Sequence, residues 1–188
     1  ASKKTDNDHA MRAMGAYARW MEDGGDEAKR ELAILRVMGL FDRPADAGCI
    51  EALLKEPAIP GLTDPLVGLA EDDWNFSLET LASAKLLTVN REPVQLHPSC
   101  FILPTSLDAH PHIRAYFAKQ LSEQHPDAWR AAHRRLYEHL CATTPDKPQP
   151  TLEDLQPLYQ AVAHGCHAGL LQEACDKVYI ARILRGMG

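Results

Sequence analysis

Apolar residues recur at intervals of three and four through most of this chain, and this spacing favours a mainly helical fold. The first segment, from Asp8 to Asp23, follows the pattern and closes at a Gly-Gly pair. Similar segments recur at about residues 26–38, 47–55, 72–85, 111–124, 126–142, 152–168 and 170–184. We therefore expect a helical protein in which strands are few and short.

Residue types at the starts of these segments predict where the helices begin. Asp26 and Asp46 are expected caps, and Asp72 or Asp73 opens the next helix. Pro111 suits the first position of a helix, where its missing N–H would have no intrahelical partner. His110 is then the predicted N-cap of that helix.

One part of the chain carries a strand pattern, and it follows the first four predicted helices. Leu86 to Val89 and Val94 to His97 flank a turn that contains Pro93, which predicts a short β-hairpin. The segments Phe101 to Leu103 and Leu107 to Ala109 are candidates to extend it.

A proline-rich connector at residues 143–150 precedes the last two predicted helices. Thr151 and Asp154 resemble a capping box for the first of them, and Pro157 should shift the start of that helix or kink it. The two helices meet at Gly169 and should form a hairpin. We predict an N-terminal helix at 1–27, a central domain at 28–124 and a helical-repeat segment at 125–188. Because the apolar pattern runs close to Gly188, we expect the helical array to continue beyond this sequence.

Charge and composition narrow the functional classes. The formal charge is −6, so nothing global favours nucleic acid or an anionic membrane as a partner. No apolar run has the length of a membrane span and the N-terminus is polar, which predicts a cytoplasmic protein. The five cysteines show no framework spacing, so we expect reduced thiols. Phosphate-loop, GxSxG and GxGxxG motifs are absent from the sequence, and no catalytic residue is predicted.

Helices followed by a hairpin and a returning helix form the outline of a winged helix, which we place at residues 28–124. The helix that would enter a DNA groove, at residues 71–85, carries four acidic residues and one basic residue. Because contacts with phosphate supply most of the affinity for DNA, this composition argues against DNA binding. A DNA-binding transcriptional regulator remains an alternative hypothesis.

The hairpin and the stretch from Leu107 to Ala118 resemble the end of the winged-helix domain in STAND NTPases, signal-transduction ATPases related to NB-ARC and NACHT proteins. In that family a Met-His-Asp motif is followed by an apolar residue and then by Arg and an aromatic residue in the next helix. Ala109-His110-Pro111 occupies the motif positions, with Ala and Pro in place of Met and Asp. The residues after 125 resemble the TPR-like helical array that often follows.

The resemblance implies a regulatory role without catalysis in this segment. It implies that His110 contacts the β-phosphate of ADP, which an upstream nucleotide-binding domain of the same chain would hold in the inactive state. The segment itself would then contain no cofactor, and ATP or ADP would belong to the parent protein. The implied partners are that domain and the downstream helical repeats, and oligomerisation of the parent is left open. A bacterial signalling or defence role is implied in the same way.

Clusters of histidine and cysteine residues raise an alternative hypothesis, that the chain is a zinc-dependent or thiol enzyme. Residue types that bind zinc occur in two groups. The first group is His97, Cys100, His110 and His112, and the second group is His164, Cys166 and His167. We predict no metal in either group, since the spacing is not that of a known zinc motif. Arg130, Arg134 and Arg135 form a basic cluster that we expect to be a solvated, salt-bridged face.

Overall fold

The computed structural model describes residues 2–91 and 104–185, with side chains described from residue 11 onward. In this part of the chain the fold is mainly helical, with a small antiparallel sheet of three strands. The elements are α1 (Ser2–Glu22), α2 (Asp26–Met38), β1 (Ala45–Asp46), α3 (Ala47–Leu54), α4 (Glu71–Ser83), β2 (Thr88–Asn90), β3 (Ser106–Asp108), α5 (Pro111–Gln124), α6 (Pro126–Thr143), α7 (Leu152–His167) and α8 (Leu171–Glu173), which continues as a π-helix over Ala174–Ile183.

Predicted capping side chains mark the starts of α3 and α7, whereas α4 begins at Glu71 after Ala70, one residue before the predicted Asp72. The Asp46 carboxylate accepts a hydrogen bond from the Cys49 amide at 2.8 Å, and Thr151 forms the expected capping box. Asp26 is the first residue of α2 rather than its cap, which is Gly25. The structure contradicts a shift of the helix start by Pro157, because α7 begins at Leu152 and runs through this proline; a kink there stays a prediction.

The sheet contains a strand that the sequence pattern did not predict. The order is β1-β3-β2, so β3 lies in the centre and pairs antiparallel with both neighbours. Leu107 is the central residue of β3, faces Ala45 on one side and Val89 on the other, and is buried. The expectation that four helices precede the first strand was therefore wrong, since β1 lies between α2 and α3. The predicted strand at Val94 to His97 and the segment Phe101 to Leu103 lie outside the described residues.

A continuous hydrophobic core joins helices from both halves of the chain. The end of α2 lies against α5 so closely that a Cβ added to Gly39 would lie 2.5 Å from the backbone nitrogen of Ala118. Helix α6 packs against α3, α5 and α7. None of the helices in the described part of the chain is both long enough and apolar enough to cross a bilayer.

Candidate functional site

His110, the predicted phosphate-binding residue, lies at the junction between β3 and α5. As predicted, His110 is the N-cap of α5 and Pro111 is the first helical residue. The Nδ1 atom of His110 accepts a hydrogen bond from the backbone amide of His112 at 3.3 Å. The His110 side chain is exposed, and its ring lies beside that of His112.

This capping bond determines which ring nitrogen of His110 carries the proton. A neutral imidazole has one N–H group and one acceptor nitrogen. Because Nδ1 accepts from the His112 amide, the proton of the neutral ring lies on Nε2. Nε2 therefore offers a hydrogen-bond donor at the N-terminus of a 14-residue helix, where the helix dipole also favours an anion.

A groove beside His110 is lined by residues 85–88, before and at the start of β2, and by residues 108–111. Lys85 brings a cation to this groove, and its backbone is in the left-handed region at φ 61°. Asp108 is the acidic residue of the groove lining. Its carboxylate accepts from Arg114 at 2.6 Å and from the Ala109 amide at 2.8 Å, so its charge is compensated within the protein. The groove lining thus contains one cationic residue, Lys85, and one carboxylate that is already paired.

The first zinc hypothesis falls partly on residues that the structure does not describe. His97 and Cys100 lie in the segment from residue 92 to residue 103. The rings of His110 and His112 are neighbours, with centroids 5.1 Å apart. The prediction that this group holds no metal stays a prediction.

A second histidine cluster lies buried where α6 meets α7. His133 of α6 and His164 of α7 are 1% and 6% exposed, and their Nδ1 atoms are 2.7 Å apart. The exposed His167 lies near His133, at a centroid distance of 4.7 Å, and Trp129 packs edge-on against both rings. The Nε2 atom of His133 is buried and has no hydrogen-bond partner within the described part of the chain.

Burial keeps both members of this pair neutral. It lowers the pKa of His133 to about 2, with further lowering by His164 and His167. Burial also lowers the pKa of His164 to about 4, His167 adds to the effect, and the nearby Asp42 opposes it. With both rings neutral, one Nδ1 carries the proton and donates a hydrogen bond, which the other Nδ1 accepts. His164 thus points to His133 while Cys166 is exposed, so the group His164, Cys166 and His167 does not form a single ligand set.

A third cluster brings His139 of α6 beside Asp46 and Cys49, and the sequence did not predict these three residues as a ligand set. Asp46, Cys49 and His139 each offer a ligand atom, and these atoms all lie within 4.8 Å of one another. Burial raises the pKa of the Cys49 thiol well above its usual range, and the adjacent Asp46 carboxylate adds to this shift. The only sequence signal was the spacing of Asp46 and Cys49, since an N-cap side chain contacts the third residue of its helix. The contribution of His139 depends on how α6 packs against α3.

The basic cluster on α6 differs from its prediction at one position. Arg130 does form the expected surface ion pair, with Asp127 at 3.5 Å. Arg135, in contrast, donates to the backbone carbonyls of Leu53, Lys55 and Pro57 at 2.7–3.1 Å. It therefore satisfies carbonyls in the last turn of α3 and in the loop after it, and it connects α6 to this segment, which is a structural role rather than that of a solvated face.

Comparisons of the chain with protein-family models, with curated proteins and with solved structures found no match.

Proposed function

We propose that this chain is the winged-helix and helical-repeat segment of a STAND-type signalling ATPase, and that it couples nucleotide state to signalling without catalysing a reaction. The order α2-β1-α3-α4-β2-β3 supports the winged-helix part of this proposal. It is a helical core with a small sheet, in which the early strand β1 pairs with the last strand β3. The pair formed by α7 and the last helix supports the TPR-like part.

The observation that carries the proposal is the Nε2–H donor of His110 at the start of α5. A phosphate at this position would receive that hydrogen bond, would lie at the positive end of the helix dipole, and would be close to Lys85. In the proposed full-length protein, an upstream domain would hold ADP, and His110 would contact its β-phosphate. Loss of this contact on exchange to ATP would release the winged helix as a rigid body.

The residues beside His110 are compatible with this role although they differ from the family motif. Ala109 is 4% exposed, so it is a buried apolar residue where the family has Met. Pro111 takes the position of the family's Asp and fixes the start of α5 instead of contributing charge. Asp108, one residue before the motif, forms the ion pair with Arg114 that holds β3 against α5.

The acidic helix α4 argues against the DNA-binding alternative. Glu71, Asp72 and Asp73 form its first turn, and all three are exposed. Asp73 is paired with Arg30 at 3.3 Å, so the charge of this nearby arginine is already neutralised within the protein. A surface of this charge would repel the phosphate backbone of DNA. Tight, salt-dependent binding of a DNA duplex to this chain would contradict the proposal.

The test compares variants of the natural full-length protein for retention of bound ADP and for basal signalling. His110→Asn keeps a residue that can cap α5 but removes the imidazole donor, so we expect faster release of ADP and higher basal signalling. His112→Asn is the matched control, because His112 is an exposed histidine in the same turn whose capping contact uses its backbone amide. This control should behave as the wild type.

Two results would overturn the proposal. The first is a gene whose coding sequence contains no phosphate-binding loop on the amino side of this segment. The second is unchanged ADP retention in His110→Asn, which would remove His110 as the phosphate contact. An equal loss in both His110→Asn and His112→Asn would point to general destabilisation of α5 instead.

A further inference from the structure

The cluster of Asp46, Cys49 and His139 combines three types of metal ligand on separate structural elements. Asp46 ends β1, Cys49 lies in the first turn of α3, and His139 lies on α6. Their ligand atoms all lie within 4.8 Å of one another. A tetrahedral zinc site places its ligand atoms roughly 3.3–3.7 Å apart, as follows from Zn–N, Zn–O and Zn–S bond lengths. Metal binding therefore requires side-chain rotations that shorten the separations in the cluster by at most about 1.5 Å.

The local backbone leaves room for these side chains to meet. Gly48 lies between Asp46 and Cys49 in sequence, and a Cβ added to it would be 3.2 Å from Nε2 of His139 and 3.3 Å from Oδ1 of Asp46. The absence of a side chain at this position therefore lets the imidazole approach the start of α3. The Cys49 side chain is fully buried, so it is protected from oxidants and bulky electrophiles.

The surroundings of the cluster also suit a divalent cation. Asp46 and His139 line a groove between α6 and α7, and the exposed Glu153 lines the same groove. Lys147 is the basic residue of that lining, and it is paired with Asp154 at 2.6 Å. A metal bound by the three ligands would thus have an open fourth position facing an acidic groove.

We propose that Asp46, Cys49 and His139 form a binding site for a zinc-type divalent transition-metal ion, which would fasten α6 to the start of α3. On binding, the Cys49 thiol releases its proton to solvent and the thiolate sulfur coordinates the ion, with no change of oxidation state. The mixed nitrogen, oxygen and sulfur ligands favour zinc over calcium or magnesium, which prefer oxygen ligands alone. This site is separate from the groove beside His110 and does not depend on the proposed function.

Cobalt(II) is the appropriate probe, because a cobalt–thiolate bond gives a charge-transfer absorption band in the near ultraviolet. We expect the reduced 188-residue chain to bind one equivalent of Co²⁺ with this band, and excess Zn²⁺ to abolish it. Cys49→Ala should lose the band completely, and His139→Gln should weaken Co²⁺ binding at least tenfold. His139→Gln alters a half-buried side chain, so it tests the site even if Cys49→Ala fails to fold.

The matched control is Cys141→Ala, which removes a thiol two residues after His139 on the same helix and should leave the band unchanged. Circular dichroism of each variant establishes that its helices are intact. The proposal is overturned if the wild-type chain gives no charge-transfer band, or if the band survives Cys49→Ala. Loss of the band in Cys100→Ala would also overturn it, because the thiolate ligand would then belong to the group of His97, Cys100, His110 and His112.

Discussion

Lowering the pH from about 7 to about 5 protonates histidines in the unfolded chain but leaves the buried His133 and His164 neutral. In the folded protein the pKa is about 2 for His133 and about 4 for His164, against an ordinary value of 6.5. A lowered pKa in the folded state means that the unfolded chain binds more protons below pH 6.5. The folded protein therefore loses stability as the pH falls through this value, and the loss continues toward the folded-state pKa.

The size of the effect follows from these values. Between about pH 7 and about pH 5, each histidine lowers the free energy of unfolding by about 2 kcal/mol. The pair together should lower it by about 4 kcal/mol, which is a large part of the stability of a domain of this size. The loss contributed by His164 levels off below about pH 4, where this ring becomes protonated in the folded protein, while the loss contributed by His133 continues toward its lower pKa of about 2.

Urea unfolding followed by circular dichroism at the two pH values measures this loss. A double variant, His133→Leu with His164→Leu, replaces both polar partners at once and should remove most of the pH dependence. His112→Leu, at an exposed histidine, is the control and should keep it. If the wild type and the double variant lose the same stability to within about 1 kcal/mol, the buried pair is not the source of the pH dependence and the reasoning is wrong.

Two further predictions concern stability. Gly39→Ala should lower the free energy of unfolding by about 3 kcal/mol or more, because its Cβ would meet backbone atoms of Phe117 and Ala118. Gly25 has open space around it, so Gly25→Ala should change this free energy by less than about 1 kcal/mol. Chemical denaturation of both variants measures the difference. Thr151→Ala should lower the free energy of unfolding by about 1 kcal/mol, because it removes the capping box, whereas Thr151→Ser keeps the hydroxyl and should not. Equal melting temperatures for the two variants would contradict this prediction.

The helices of this protein could be predicted because their signals are local. Apolar spacing located each described helix, and the side chains of Asp46, His110 and Thr151 marked helix starts that the structure confirms. Proline was a weaker guide. Pro157 lies in the first two turns of α7, and the packing of that helix against α6 outweighs the hydrogen bond that proline removes.

The features that sequence reasoning missed depend on contacts between distant segments. Strand β1 has two residues and exists because Ala45 pairs with Leu107, so no local alternation could reveal it. His133 fitted the apolar stripe of α6, and its pairing with His164 depends on the packing of α6 against α7. His139 reaches Cys49 in the same indirect way. The place of His110 as the N-cap of α5 could be predicted from the sequence, whereas its tautomer follows only from the capping hydrogen bond.

Arg182, near the end of the last helix, changes how the proline-rich connector should be regarded. Its guanidinium donates to Asp146 at 2.7 Å, to the Cys141 carbonyl at 2.9 Å and to the Thr144 carbonyl. Arg185 donates to the carbonyls of Lys147 and Pro148 in the same connector. These contacts attach the connector and the end of α6 to the last helix. We therefore expect α6, the connector and the last helix to move together rather than to rotate independently about the connector.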